Sequence, residues 1–74
     1  MTLYKALQTI QSATTPSVSE RIRLGMEVLD ADEIDYLSIV DPDSLEPVQE
    51  INGPARALVA ASIDNTRLID NIGI

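Results

Sequence analysis

Carboxylates are the side chains of this sequence that could do chemistry, because the chain has no histidine and no cysteine. Four of them lie close together in the segment D-A-D-E-I-D, at Asp30, Asp32, Glu33 and Asp35. A calcium-binding EF-hand loop needs a glycine at its sixth position and a glutamate at its twelfth. Counted from Asp30, this segment has Asp35 and Asp41 at those positions. We therefore interpret the acidic segment as a solvated linker between a helix and a strand.

A second pair of carboxylates, Asp41 and Asp43, flanks Pro42. Paired carboxylates can act as general acid and base, but beside a proline they are more typical of a turn, where they bond the local backbone. No serine or threonine can have a histidine partner, and the three glycines are too far apart to form a phosphate-binding loop. We predict no catalytic, cofactor-binding or metal-ligating residue in this chain.

Length and charge exclude several classes of partner. A chain of 74 residues indicates one small domain, residues 1–74, with a thin margin of stability. Five basic and twelve acidic residues give a net charge of -7, which repels phosphate backbones and anionic lipids. No apolar run approaches the roughly 18 residues of a membrane-spanning helix. We expect no nucleic-acid or membrane partner and a cytoplasmic location.

Hydrophobic periodicity predicts two helices in the first 30 residues. The first begins almost at the first residue and places apolar side chains at helical spacing: Leu3, Ala6, Leu7, Ile10 and Ala13. Pro16 interrupts it. Ser17 and Glu20 then form the S-x-x-E pattern of a capping box, in which each side chain can bond a backbone N–H. The second helix is predicted from Val18 to Asp30, with a stripe of Val18, Ile22, Met26 and Leu29 and with Gly25 on the same side. A close approach of another element would explain that glycine, and tolerated drift is the alternative.

The remaining chain reads as three strands. The first spans Ile34 to Val40, and a turn at Asp41 and a loop at Asn52-Gly53, able to take positive φ, follow it. A-R-A-L-V-A-A-S-I and T-R-L-I-D-N flank Asp64-Asn65, which predicts a type I′ hairpin. That turn sets a register in which Ile63 faces Thr66, Ala61 faces Leu68 and Val59 faces Asp70. Helices followed by strands predict an α+β domain, with two N-terminal helices packed on a three-stranded antiparallel sheet.

The first strand is apolar on both faces, with Tyr36 and Val40 on one and Leu37 and Ile39 on the other. Two short helices can cover only one face of the sheet, and a free face that met only solvent would be polar. We therefore expect an exposed apolar patch, where a partner or a second copy docks, and weak self-association.

Two segments of the chain together resemble one family. I-D-Y-L-S-I-V-D-P-D-S-L-E-P-V, and after a gap A-L-V-A-A-S-I-D-N-T-R-L-I-D-N, are similar to the C-terminal domain of the pantothenate synthetases (pantoate–β-alanine ligases). The family pattern falls on Asp35, Tyr36, Asp41, Leu45 and Pro47, then on Ala60 or Ala61 and on Thr66, Arg67, Leu68, Ile69, Asp70 and Asn71. Asp64 departs from the pattern, which usually has glycine there.

The resemblance implies that this chain is part of an enzyme but does not itself carry the catalytic residues. Family members condense pantoate with β-alanine through a pantoyl-adenylate, using ATP and magnesium in an N-terminal nucleotide-binding domain with H-x-G-H and S-S-R-N motifs. Neither motif occurs here, so no family catalytic residue can be assigned. The resemblance implies an excised, inactive domain of a longer enzyme. Some relatives continue into a cytidylate kinase domain, and the ending N-I-G-I is compatible with such a parent.

These observations leave two hypotheses. In the first, the chain is a lid that closes over the adenylating domain of the same parent chain, and the isolated chain has neither ligase activity nor ATP affinity. In the second, it is a free-standing acidic protein-interaction module with the same fold. Within T-R-L-I-D-N, Asp70 is expected on an apolar face, where a carboxylate needs a partner. Arg67 is expected on the opposite face, unable to reach Asp70, and Asn71 is expected to bond the chain reversal after the strand.

Overall fold

Two helices precede three strands in the computed structural model, which describes residues 2–74; residue 1 of the predicted domain lies outside this range. The helices are α1 (Thr2–Ser12) and α2 (Val18–Val28), and the strands are β1 (Glu33–Val40), β2 (Arg56–Ile63) and β3 (Thr66–Gly73). The predicted α+β class is confirmed. Within residues 2–74, neither helix has the length or apolar content needed to cross a lipid bilayer.

The three strands form an antiparallel sheet in the order β1-β2-β3, so that β2 lies in the centre. β2 and β3 are joined by the predicted type I′ turn, in which Asp64 and Asn65 have φ of 52° and 66°. The register is the predicted one, with Ile63 opposite Thr66, Ala61 opposite Leu68 and Val59 opposite Asp70. The alternation of side chains along β2 therefore divides the sheet into two faces.

Both helices pack on one face of the sheet, α1 against β2 and β3 and α2 against β1. Four residues of the predicted apolar stripe of α1 form the centre of the core, Leu3, Ala6, Leu7 and Ile10, all at 0% exposure. Ala13, the fifth, lies beyond the end of the helix and is half-buried. Ala57, Val59 and Ala61 of β2, together with Leu37 and Ile39 of β1, close the core from the sheet side. The opposite face of the sheet, which we call the outer face, has no helix on it.

The predicted stripe of α2 is confirmed at Val18 and Leu29, which are buried, and at Ile22, which packs against the core, but it is wrong at Met26. Met26 is 44% exposed, and the buried positions of the helix are Val18, Arg21 and Gly25. Gly25 lies so close to α1 that a Cβ atom there would be 2.8 Å from Ile10 Cδ1, which confirms the close approach as the reason for this glycine. The helix also ends at Val28 rather than at Asp30.

Half of the predicted capping box is present. Ser17 Oγ accepts the backbone N–H of Glu20 at 3.4 Å, as predicted. The reciprocal bond is replaced, because the backbone N–H of Ser17 donates to Thr15 Oγ1 and the carboxylate of Glu20 pairs with Arg23. Arg23, one turn later, competes with the backbone for the carboxylate of Glu20. The S-x-x-E pattern does not include this position and so cannot predict the competition.

β1 departs from regular geometry in two places. A bulge between Ile34 and Tyr36 inserts Asp35 as an extra residue, which turns its side chain toward the outer face. After β1, the chain reverses in a tight loop closed by Asp41 and Glu46, in which Leu45 has φ of 60°. Asn52 and Gly53 lie in the predicted loop, but neither adopts the positive φ that both residues tolerate.

A candidate docking face

The carboxylates that could do chemistry are used in turns and pairs. Asp41 Oδ1 accepts the backbone N–H groups of Asp43 at 2.8 Å and Ser44 at 3.1 Å. These bonds from Ser44 and Asp43 lower the pKa of Asp41, because they stabilise its ionised form. A carboxylate that is bonded by its own turn and ionised at neutral pH stabilises that turn. The interpretation of Asp41 as a turn former is confirmed.

The acidic linker ties β1 to the β2–β3 hairpin. Asp32 Oδ2 accepts the backbone N–H of Asp64 at 2.9 Å, and the backbone N–H of Asp32 donates to Ser62. Asp35 Oδ2 accepts from Arg67 Nε at 2.7 Å. Across the described residues, no three acidic side chains converge on a point where a metal ion could sit. The segment was interpreted as a solvated linker, and in the structure it also holds the turn in place.

The ion pair between Asp35 and Arg67 joins the two segments that carry the family pattern. Arg67 lies on the outer face, opposite Asp70, as the alternation predicted. It reaches Asp35 across β2 because the bulge in β1 presents that carboxylate on the outer face. The sequence analysis missed this contact, and no local signal marks the bulge that makes it possible.

Asp70 lies on the face expected for it and has a partner, whereas Asn71 has a different partner from the one expected. Asp70 is half-buried on the core side of β3, and its Oδ1 accepts the backbone N–H of Asn71 at 2.8 Å. Asn71 Oδ1 accepts from Arg56 Nη1 of the neighbouring strand, so its predicted bond to the chain reversal is wrong. Side chains alternate between the two faces along β2, so Arg56 lies on the same face as Leu58, which pairs with Asn71. This alternation is the signal in the sequence that could have predicted the contact.

At the outer edge of β3, some of the backbone groups that point away from the sheet bond to side chains. Ala55 and Ile74 exchange backbone bonds, and the alternation along the ladder therefore directs the N–H and C=O groups of Asn71 and Gly73 away from β2. Asp70 occupies the N–H of Asn71, and Gln11 Nε2 donates to the C=O of Gly73 at 2.9 Å. This half of the β3 edge is therefore blocked against another strand.

The outer face carries an exposed apolar row. Tyr36, Ala60 and Ile69 lie side by side across the three strands. Ile69 is 61% exposed and Tyr36 is 38% exposed. Leu58 continues the apolar surface on β2, and Arg56 and Arg67 lie at its two ends. The predicted exposed apolar patch is confirmed, and an exposed apolar surface of this kind is typical of a site that binds another surface.

Two grooves lie on other parts of the surface. One of about 300 Å³ is lined by residues of the loop that precedes β2, including Glu50 and Asn52. The other, of about 520 Å³, lies beside the start of α2 and includes Ser17, Ser19 and Val48. The residues lining these grooves include no lysine or arginine. Phosphate groups therefore find no cationic partner in either groove.

Comparisons with known proteins agree with this description. The family model described as pantoate-beta-alanine ligase matches residues 1–73. A pantothenate synthetase from Rhizorhabdus wittichii is 51% identical over 43 residues, which are 58% of this chain and 15% of that protein. One from Bradyrhizobium sp. is 37% identical over 86 aligned positions, covering 99% of this chain and 28% of the relative.

A solved structure shows the same fold. The crystal structure of pantothenate synthetase from Thermus thermophilus aligns with a TM-score of 0.79 and 38% sequence identity. The alignment covers 96% of this chain and 28% of that chain. The chain thus spans little more than a quarter of the solved relative and a smaller share of several others. It belongs to the pantoate–β-alanine ligase family.

Proposed function

We propose that this domain is the non-catalytic C-terminal lid of an ATP-dependent ligase that condenses pantoate with β-alanine to make pantothenate. The observation that supports this proposal is the extent of the match, because residues 1–73 fit the family model while the chain corresponds to 28% of a solved relative. A domain that corresponds to 28% of a relative's length is expected to be one part of a larger enzyme. Its partner in this proposal is the N-terminal nucleotide-binding domain of the same parent chain.

The proposed reaction runs through a pantoyl-adenylate and releases AMP and pyrophosphate. An acyl-adenylate is destroyed by water, so a lid that excludes solvent raises the yield of pantothenate per ATP consumed. ATP and magnesium supply the activation of the carboxylate. The residues of this chain do not fit either group, because the described acidic side chains do not converge and both grooves lack cations. We assign both cofactors to the remainder of the parent chain.

A free-standing acidic interaction module is the second candidate. The exposed apolar row on the outer face favours it as much as it favours a lid, because each function needs a docking surface. A coding region for the H-x-G-H domain in the same reading frame distinguishes the two. The cytoplasmic location stays a prediction, and a fluorescent fusion of the parent protein tests it.

The lid proposal is tested by exchange of the matching segment. In the Thermus thermophilus enzyme, the C-terminal segment is deleted, or replaced by this chain, and AMP and pantothenate are both measured. We expect the deletion to release AMP with little pantothenate and the replacement to restore pantothenate per AMP. The control is a replacement with Ala57→Asp, which places a carboxylate in the core and unfolds the lid. Equal pantothenate per AMP in the deletion and the replacement would contradict the proposal.

A further inference from the structure

We propose that Leu45 is an anchor residue of the lid, whose side chain enters an apolar pocket with a cationic rim on the remainder of the ligase chain when the lid closes. This inference rests on the lid function proposed above. It adds one contact outside the outer face and the chemistry of the pocket that receives it. The anchor belongs to the loop from Asp41 to Glu46, which follows β1 and which we call the β1 loop.

The backbone conformation of Leu45 is unfavourable for leucine. Its φ of 60° lies in the left-handed region, where the Cβ atom of an L-residue is crowded by a carbonyl oxygen. Glycine and asparagine are the usual residues in this region. The other non-glycine residues with positive φ, Asp64 and Asn65, are of types that tolerate it. Leucine at position 45 therefore costs stability that the turn itself does not require.

The side chain of Leu45 does not offset this cost within the domain. It is 61% exposed, and among the described residues 2–74 it belongs neither to the core nor to the residues that pack against it. Backbone strain that a structure maintains is found most often at functional sites and ligand contacts. We therefore infer that the contact of this side chain lies outside the chain.

The β1 loop holds Leu45 in one position. The C=O of Asp41 accepts the backbone N–H of Leu45 at 2.9 Å, and the N–H of Asp41 donates to the C=O of Glu46 at 2.9 Å. The carboxylate of Asp41 binds two further backbone N–H groups, and Ser44 Oγ accepts the N–H of Glu46 at 3.3 Å. A loop that is fixed in this way loses little conformational entropy when its side chain docks.

The charges beside Leu45 indicate the chemistry of the pocket. Asp41, Asp43 and Glu46 give the β1 loop three carboxylates, and the loop has no lysine or arginine. A complementary surface has apolar walls for the leucine and lysine or arginine side chains at its rim. A second copy does not match, because each chain has a net charge of -7 and like charges repel. The remainder of the parent chain is the partner, and it is the larger part, since this chain covers 28% of the solved relative.

The β1 loop lies at one end of the sheet. Val40, Arg56 and Gly73 form the row of residues at the end opposite the hairpin turn, and the β1 loop follows Val40. Gln11 donates to the C=O of Gly73, so α1 also ends there. Because α1 is about 16 Å long and packs on β2 and β3, which lie about 4.8 Å apart, it runs along the strands. It therefore begins toward the hairpin turn.

This position is suited to the closure of a lid. The proposed function puts the connection to the catalytic domain before α1, toward the end of the sheet with the hairpin turn. Leu45 is then at the opposite end, far from that connection. A contact far from the hinge resists opening more effectively than an equal contact beside it, and closure of a lid is what excludes water from the reaction.

Leu45→Asn separates this role from a purely structural one, because the two effects have opposite signs. In the isolated chain we expect the melting temperature to rise by a few degrees, since asparagine tolerates positive φ. In the Thermus thermophilus replacement protein we expect the pantothenate formed per AMP to fall at least about fivefold, because the closed lid loses an anchor. Met26→Gln removes another exposed apolar side chain, on α2, and is the matched control that should change neither value.

Thiol labelling measures the contact itself, because the chain has no native cysteine. Leu45→Cys and the control Met26→Cys are compared between the isolated chain and the replacement protein with ATP and pantoate. Labelling rates are measured by mass spectrometry of the peptide that carries the new thiol. Cysteine behaves as a small hydrophobe, so we expect position 45 to label at least about tenfold more slowly in the replacement protein. Position 26 should label equally in both.

Three results would overturn the inference. The first is equally fast labelling of position 45 in the two proteins. The second is an undiminished pantothenate yield of Leu45→Asn in a replacement that exceeds the deletion. The third is a lower melting temperature of Leu45→Asn, which would show that the leucine stabilises its own turn. Protection of position 45 in a replacement that forms no more pantothenate per AMP than the deletion would sustain the contact and refute the lid function.

Discussion

Arg21 shows how one side chain can organise two helices in a small domain. It is 8% exposed, and it donates from Nη1 to the C=O of Ile10 at 2.8 Å and from Nε to the C=O of Thr15 at 2.6 Å. A cation at the C-terminal end of a helix also meets the negative end of the helix dipole. The guanidinium group thus closes the end of α1 and the connection to α2 at once.

We predict that Arg21→Met lowers the free energy of unfolding by about 2 kcal/mol, because the C=O groups of Ile10 and Thr15 lose charged donors. Urea denaturation followed by circular dichroism measures the change. Arg23→Met on the exposed side of α2 is the matched control and should leave the midpoint nearly unchanged. Equal effects of the two substitutions would show that the buried bonds contribute nothing beyond an ordinary surface pair.

Asp41 leads to a prediction about pH. Its pKa in the folded protein is below its ordinary value, so its contribution to stability is present above the unfolded pKa of about 3.9. That contribution is lost as the pH falls through the folded pKa, because the carboxylate must then be protonated. Asp41→Asn keeps an oxygen acceptor for the turn but cannot titrate.

We therefore expect the difference in melting temperature between the wild type and Asp41→Asn to be largest near neutral pH and to shrink on acidification below about pH 4. Thermal denaturation across a pH series measures it. Both proteins carry the other carboxylates, so the effect of their titration cancels in the difference between the two melting temperatures. A difference that stays constant down to low pH would mean that the ionised carboxylate is not what stabilises the turn.

Helix packing is the main feature at the scale of elements, and Gly25 makes it possible. A Cβ atom at position 25 would lie 2.8 Å from Cδ1 and 2.9 Å from Cγ1 of Ile10, and Ile10 is fully buried and cannot move aside freely. The gain of about 1 kcal/mol in helix propensity from glycine to alanine is opposed by about 1–3 kcal/mol for overpacking a core. The close approach of α1 and α2 therefore depends on the missing side chain.

We predict that Gly25→Ala destabilises the domain and that Ile10→Val relieves part of the effect, since valine lacks the Cδ1 atom. A double-mutant cycle of urea midpoints measures the coupling, which should be favourable and above about 0.5 kcal/mol. Additive effects of the two substitutions would mean that the helices separate rather than clash.

At the scale of the whole molecule, the outer face and the net charge have opposite effects on self-association. The apolar row favours contact between copies, whereas -7 charges on each chain oppose it. We predict a monomer at micromolar concentration and weak self-association near millimolar concentration that increases with salt, because salt screens the repulsion. Analytical ultracentrifugation across salt and protein concentration measures it.

The same experiment distinguishes the face from the strand edge. Ile69→Lys should abolish the association if copies meet through the outer face. Gln11→Ala frees the C=O of Gly73 at the edge of β3, so it should strengthen the association if copies meet through that edge and leave it unchanged if they meet through the outer face. A strict monomer at millimolar concentration under high salt would contradict the prediction.

Local patterns in the sequence were sufficient for the class of the fold and for one half of the sheet. Helical spacing predicted the buried face of α1, and Asp64-Asn65 between two apolar runs predicted both the turn and the register of β2 with β3. These features depend on residues close in sequence, whose geometry is set by backbone sterics and a fixed side-chain period. The same alternation predicted the exposed apolar outer face, because two short helices can cover only one face of the sheet.

Contacts between distant segments were decided only by the tertiary structure. The burial of Arg21 depends on where the end of α1 lies, and the pair of Asp35 with Arg67 depends on a bulge in a strand on the far side of β2. Met26 was expected in the core and is exposed, whereas Val18 and Gly25, on the same predicted side of α2, are buried. The period of a helix or strand defines which residues share a face, whereas the face that is buried depends on how the elements pack around a common core.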